Sequence, residues 1–147
     1  MDPVSFIGTL AAAGAIAGSI TEAANALARL RGRLKEADTI LRLLLAELSA
    51  VKAALQQIED WAKYNSSNGQ VQEELAIAFS MSLEGCQISV ELLGEEVTRL
   101  SGDFGSSEDD FRARMRTVWN ESRMREHQQR LHGQISALQF LLQAVQM

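Results

Sequence analysis

The side chains that could do acid–base or metal chemistry are few and badly spaced for it. The two histidines, His127 and His132, are five residues apart, which does not place both on one face of a helix. Neither lies in an HExxH motif or in the Glu-x-x-His pair of di-iron bundles. The sequence also contains no glycine-rich motif of the kind that cradles nucleotide phosphates. We therefore expect no metal, no cofactor and no enzymatic activity.

The single cysteine and the paired carboxylates have structural explanations. Cys86 falls within an apolar stripe, where a buried structural thiol is far commoner than a nucleophile. One cysteine cannot form an internal disulfide, which is typical of a reducing compartment. The acids at 73–74 and 95–96 are sequence neighbours, so at least one of each pair is expected to face solvent. These features predict function by association with another surface.

The composition indicates helices. Strong helix formers dominate the 147 residues, and proline occurs once, at Pro3. Hydrophobic residues make up 46 %, enough for a buried core in one domain of this length. The formal net charge of −5 disfavours general nucleic-acid binding. We predict one all-α domain over residues 1–147, and we expect it to head a longer multidomain receptor.

Apolar spacing places the helices. The first is predicted to begin at Asp2-Pro3 and to weaken near Gly32. Steps of three and four residues mark the second, through Leu34, Ala37, Leu41, Leu44, Leu48, Val51, Leu55, Ile58 and Ala62. After a predicted turn at 65–69, the third helix carries Val71, Leu75, Phe79, Leu83, Cys86, Val90, Leu93, Val97 and Leu100.

Two further helices complete the predicted fold. After a loop at 101–107, Ser107 followed by three acids predicts the start of a short fourth helix. A break at 120–122 separates it from a fifth helix. Short connections make consecutive helices antiparallel. The predicted architecture is an antiparallel up-down bundle of four long helices plus one short helix.

The first helix has an unusual composition. Residues 3–21 carry no charge, but the acidic Asp2 argues against a signal peptide, and the glycine content makes a weak membrane span. Each glycine costs the helix about 1 kcal/mol relative to alanine. The Gly14-x-x-x-Gly18 spacing lets another helix approach closely, in lipid or in protein. Two interpretations follow: small residues where bundle neighbours crowd the helix, or a segment that leaves the bundle and inserts into a membrane.

Basic residues form two groups. The first directly follows the uncharged segment and either contacts anionic headgroups or complements the helix dipole; it consists of Arg29, Arg31, Arg33 and Lys35. The second is interleaved with acids, which predicts a solvated, ion-paired face; it consists of Arg112, Arg114, Arg116, Arg123, Arg125 and Arg130. Trp61 and Trp119 are predicted to be core residues at the bundle end.

Several segments together resemble one family. They are the opening MDPVSFI (1–7) with its Ala/Gly-rich helix, the leucine-rich stretch 41–55, and the tail 118–143 that begins VWNE. They resemble the fungal N-terminal domains of NLR-like STAND receptors. Those domains are related to HeLo and HeLo-like domains, and more distantly to the bundle of the necroptosis pseudokinase. The resemblance implies a cytoplasmic effector of programmed cell death or heterokaryon incompatibility that moves to the plasma membrane on activation.

The resemblance also implies a mechanism and partners. C-terminal sensor domains of the same chain oligomerise, the bundles meet, and the first helix permeabilises the membrane. The implied partners are other copies of the chain and anionic membrane lipids, without nucleic acid. The implied insertion and oligomerisation residues are Phe6, Ile7, Leu10, Gly14, Ile16, Gly18 and Ile20. In the resting state we expect Gly14 and Gly18 to pack against neighbouring helices. The alternative is an oligomerisation adaptor without membrane activity.

Overall fold

A computed structural model describes the backbone of residues 3–68, 73–101 and 107–145, and the side chains of 8, 11–64, 74–101 and 107–145. Its α-helices are α1 (Pro3–Arg33), α2 (Asp38–Asn68), α3 (Glu73–Ser101), α4 (Glu108–Val118) and α5 (Glu121–Val145). A short 3-10 turn, Lys35–Ala37, joins α1 to α2. The described residues form no strand, so the all-α prediction is confirmed for them.

The helices pack around one apolar core. Helix α1 packs against α2 and α3, and α5 packs against the same two helices. Although α2 and α3 are consecutive, they make no comparably broad contact with each other. They do meet where the rings of Trp61 and Phe79 lie 4.8 Å apart. The short α4 is anchored by two buried side chains, Phe111 and Met115.

The predicted apolar stripes form the core. Every position of the second stripe, from Leu34 to Ala62, is buried. The third stripe is buried from Phe79 to Leu100, whereas Leu75 is half-buried and Val71 lies outside the described residues. Steps of three and four residues keep these side chains on one face of each helix, which explains the agreement.

The helix ends are only partly where the sequence predicted them. The hydroxyl of Ser107 accepts a hydrogen bond from the backbone N–H of Asp110 at 3.2 Å, so the start of α4 is confirmed. Asn120 caps α5 in the same way, because its Oδ1 accepts from the N–H of Arg123 at 3.0 Å. The predicted turn at 65–69 is wrong for 65–68, since α2 continues to Asn68. A long helix propagates at low cost through residues of modest propensity.

Candidate functional site

The large apolar side chains of α1 that the structure describes face the interior. Ile16 and Ile20 are 1 % and 2 % exposed, so these two predicted insertion residues belong to the core in this state. The side chains of Phe6, Ile7 and Leu10 lie outside the described residues. Releasing α1 from the bundle would therefore require uncovering buried apolar surface.

Over residues 8–18, the opposite side of α1 consists of small, uncharged residues. We call it the glycine face; its exposed residues are Gly8, Ala11, Gly14, Ala15 and Gly18. A Cβ atom added to Gly14 or to Gly18 would meet no atom of the described residues within 4 Å. The prediction that the resting bundle holds these two glycines against neighbouring helices is therefore wrong. At about 100° per residue, the periodicity that buries Ile16 and Ile20 turns positions 14 and 18 towards solvent.

The glycine face has a clear chemical capacity. Glycine in a helix costs about 1 kcal/mol relative to alanine, and no contact with the described part of the chain offsets this cost at Gly14 or Gly18. A surface of glycine and alanine lets the backbone of a second helix come unusually close. The glycine face can thus accept a helix without displacing any core side chain.

The basic residues at the end of α1 make contacts within the chain. Arg31 Nε donates to Asp38 Oδ1 at 2.6 Å, and this hydrogen bond lowers the pKa of Asp38 below its ordinary value. Arg33 Nε donates to Glu108 Oε1 at 3.2 Å. These two arginines therefore tie the end of α1 to α2 and α4.

A second contact strengthens the link to α4. The guanidinium of Arg33 lies 3.9 Å from the centre of the Phe111 ring, a cation–π geometry. Arg29 and Lys35 are exposed at the same end of α1. Of the four predicted headgroup residues, Arg33 is half-buried, and the other three are exposed.

The charges of α4 and α5 pair mainly across helices. Arg123 Nη1 lies 3.4 Å from Glu96 Oε1 on α3, and Arg99 also donates to Glu96. Burial raises the pKa of Glu96, but the hydrogen bond and charge of Arg99, together with Arg123, hold it below its ordinary value. Arg114 Nη2 donates to the backbone carbonyl of Leu100 at 3.0 Å. The ion-paired part of this face therefore serves to join helices.

The two histidines occupy different environments, in agreement with their spacing. His127 is buried at the α5 interface, and this burial lowers its pKa, with the Arg130 guanidinium 3.3 Å from Nδ1 acting in the same direction. His132 is exposed, and its Nδ1 lies 3.3 Å from Glu47 Oε1. Within the described residues, no group of three or more His, Cys, Asp or Glu side chains could hold a metal ion.

Cys86 is fully buried in the core. Burial raises the pKa of its thiol to about 11, and Sγ lies 3.9 Å from Oε1 of Gln134 on α5. A nucleophilic cysteine must be a thiolate and must be reachable. The thiol is therefore placed for packing and for one weak hydrogen bond to α5.

One surface was missed by the sequence reasoning. We call it the α3 strip; it consists of Ile77, Met81, Ile88 and Leu92, which are 40–69 % exposed. Among the described residues, Glu74–Ser101 of α3 is long and apolar enough, by length and composition, to cross a membrane. A core helix of a soluble protein meets the same criterion. The sequence could have indicated this strip, because its four apolar residues share the face of α3 opposite the predicted apolar stripe.

Comparison with known proteins adds no family to these observations. No family model matches the chain, and no curated protein or solved structure matches it either. The HeLo-like resemblance stays a prediction from the sequence. The exposed surfaces, foremost the glycine face, are therefore the basis for the proposed function.

Proposed function

We propose that this chain is a HeLo-like signalling domain of a fungal NLR-like receptor, which oligomerises on activation and targets or permeabilises a membrane through α1. The glycine face carries the proposal. It is exposed and uncharged, its glycines have space for a Cβ among the described residues, and it lies on the helix that the family resemblance implies as the executing segment. A surface that costs helix stability and makes no offsetting contact with the described residues is suited to close contact with a helix of another molecule.

The proposal includes the antiparallel up-down order of α1, α2, α3 and α5, with α4 as the short extra helix. Two contacts support opposite directions for α3 and α5. Arg123, near the start of α5, reaches Glu96, late in α3. Gln134, further along α5, reaches Cys86, earlier in α3.

The proposed mechanism has two states. In the resting state Ile16 and Ile20 are in the core; in the active state α1 is shared between protomers or with lipid. Uncovering a buried isoleucine costs about 1.5–3 kcal/mol, so release of α1 must be offset by new burial. Clustering by sensor domains raises the effective concentration of bundles and favours that exchange.

Dye release from anionic liposomes tests the proposal, with the chain tethered to the vesicles at high density. Deleting residues 1–20 would remove Ile16 and Ile20 from the core, so a surface substitution is the sharper test. Gly14→Glu places a charge on the glycine face at a position where an added Cβ meets no described atom within 4 Å. Gly133→Glu is the matched control, because Gly133 is also an exposed helical glycine with space for a side chain.

We expect dye release from the native chain and from Gly133→Glu, and none from Gly14→Glu. Circular dichroism should show the same helical content for all three. Release that persists in Gly14→Glu would remove the glycine face from the mechanism. Absence of release from the folded native chain would contradict membrane activity altogether.

An adaptor that never touches lipid is the second candidate, and the α3 strip favours it. The strip is bordered by exposed carboxylates, including Glu84, Glu91 and Glu95. Anionic headgroups would repel these carboxylates, whereas a protein partner can pair with them. Self-association without dye release would support the adaptor.

A further inference from the structure

A cleft lies between the α1–α2 turn and α4. Its volume is about 280 Å³. Its apolar lining is formed by Met115, Leu34 and Ala37, which are 1 %, 8 % and 4 % exposed, and by half-buried Trp119. A concave site of this size, with both apolar and polar residues in its lining, suits a small ligand that has an apolar and a polar part.

The polar lining of the cleft is mainly cationic. Arg112 and Arg116 are four residues apart, so they lie on one face of α4, and both are exposed. No described carboxylate lies within ion-pair distance of either guanidinium. Glu36 supplies one negative charge against these two positive ones. By contrast Arg114, between them in sequence, is held by the carbonyl of Leu100.

We propose that this cleft binds a small anionic amphiphile, in which one phosphate or carboxylate group is joined to a short apolar chain. The two guanidiniums hold the oxyanion through charge-assisted hydrogen bonds. The apolar chain covers the half-buried indole of Trp119, next to the buried Met115. Such a ligand can come from solution or from a bilayer. The cleft contains no residue of the glycine face, so this inference goes beyond the proposed function and does not depend on it.

Binding has a structural consequence that can be measured. A ligand in the cleft contacts both the α1–α2 turn and α4, close to the point where Arg33, the last residue of α1, contacts Glu108 and Phe111 of α4. Because the ligand binds the folded state, it must raise the thermal unfolding temperature. Trp119 reports occupancy directly once Trp61, the other tryptophan, is changed to phenylalanine.

The test compares three soluble probes on the whole chain: hexyl phosphate, inorganic phosphate and hexanol. We expect hexyl phosphate to raise the unfolding temperature and to change the Trp119 fluorescence. Phosphate and hexanol should each bind at least about tenfold more weakly, since each lacks half of the interaction. Equal binding of hexyl phosphate and either fragment would overturn the proposal, as would no binding of hexyl phosphate.

Variants locate the site. Arg112→Gln combined with Arg116→Gln should weaken hexyl phosphate binding at least about tenfold. The control Arg125→Gln removes an exposed arginine of α5 that does not line the cleft, and should bind as the native chain does. Equal binding by the double variant and the control would overturn the proposal. Circular dichroism confirms that both variants are folded.

A separate experiment tests whether the ligand comes from a bilayer or from solution. Vesicles of phosphatidylcholine, with and without about 25 % phosphatidylserine, test the bilayer source. Binding that requires phosphatidylserine and is lost in the double variant supports the cleft and assigns a lipid. Vesicle binding unchanged in the double variant, with hexyl phosphate binding lost, supports the cleft and assigns a soluble ligand. If the native chain binds hexyl phosphate but releases no dye, the membrane function is contradicted and the proposal for the cleft is supported.

Discussion

Replacing Gly14 and Gly18 by alanine should stabilise the folded chain and impair its assembly. Both positions are helical and exposed, and an added Cβ meets no atom within 4 Å in the part of the chain that the structure describes. Each substitution should gain about 0.5–1 kcal/mol, through helix propensity and lower entropy of the unfolded chain. The double variant should therefore gain about 1–2 kcal/mol. For a chain of this length, that corresponds to a rise of about 3–6 °C in the unfolding temperature.

The assay is thermal and urea unfolding followed by circular dichroism, paired with dye release from tethered protein. Gly133→Ala is the control, since its helical environment is equally open. It should gain about 0.5–1 kcal/mol and keep full activity. The Gly14→Ala/Gly18→Ala variant should lose part of its dye release, because two methyl groups hold an approaching helix further away.

Two results would refute this reasoning. A loss of stability in the double variant would mean that the glycine face is packed in solution, contrary to its exposure in the structure. Equal gains in stability with full activity in both variants would mean that the glycines are incidental to function. Gly85 offers a contrast, because its added Cβ would lie 3.0 Å from Oε1 of Gln134. Gly85→Ala should gain less stability than Gly133→Ala.

Three further outcomes follow from buried side chains. Leu48→Ala should cost about 2–5 kcal/mol in urea unfolding, because Leu48 is 1 % exposed in the core. The pKa of His127 is lowered below 6.5 in the folded state, so its imidazole takes up a proton more readily in the unfolded chain. The free energy of unfolding should therefore fall as the pH is lowered below 6.5. His127→Gln should flatten this part of the stability–pH curve; an unchanged slope would exclude His127 as its source. Cys86 should resist iodoacetamide at neutral pH until the chain unfolds, since its thiol is buried with a pKa of about 11; rapid labelling of the native chain would contradict that burial.

The fold was predictable where one helix face is specified by its own pattern. The stripe from Leu34 to Ala62 predicts its own burial, because apolar side chains at steps of three and four share one face. Which helices lie side by side was not predictable, since periodicity says which face is buried and not against what. The placement of α1 and α5 against both α2 and α3 depends on the whole assembly.

The candidate site shows a similar division. The outward orientation of Gly14 and Gly18 could have been predicted from the helical periodicity that places Ile16 and Ile20 in the core. The GxxxG spacing alone led to the wrong prediction, that these glycines pack inside the bundle. The role of Arg33 could not be predicted from the sequence, because its partner Glu108 lies 75 residues further along the chain. The cleft beside Trp119 was equally hidden, since its two sides come from distant segments.

The exposure of the glycine face bears on the order of events in the proposed mechanism. Another copy can dock on this face while Ile16 and Ile20 stay buried, so association need not wait for release of α1. Release costs about 1.5–3 kcal/mol for each uncovered isoleucine and therefore should follow association.

A covalent lock separates the two steps. Gln87 Nε2 donates to Ser19 Oγ at 3.4 Å, so α1 and α3 are close at this point. Cysteines at these two positions, in a Cys86→Ser background and joined by a short bis-maleimide, should hold α1 in the bundle. The cross-linked chain should still associate when tethered but should release no dye. The same double-cysteine chain without the cross-linker should associate and release dye. Loss of association in the locked chain would mean that α1 must leave before copies meet, and the order argued from the glycine face would be reversed.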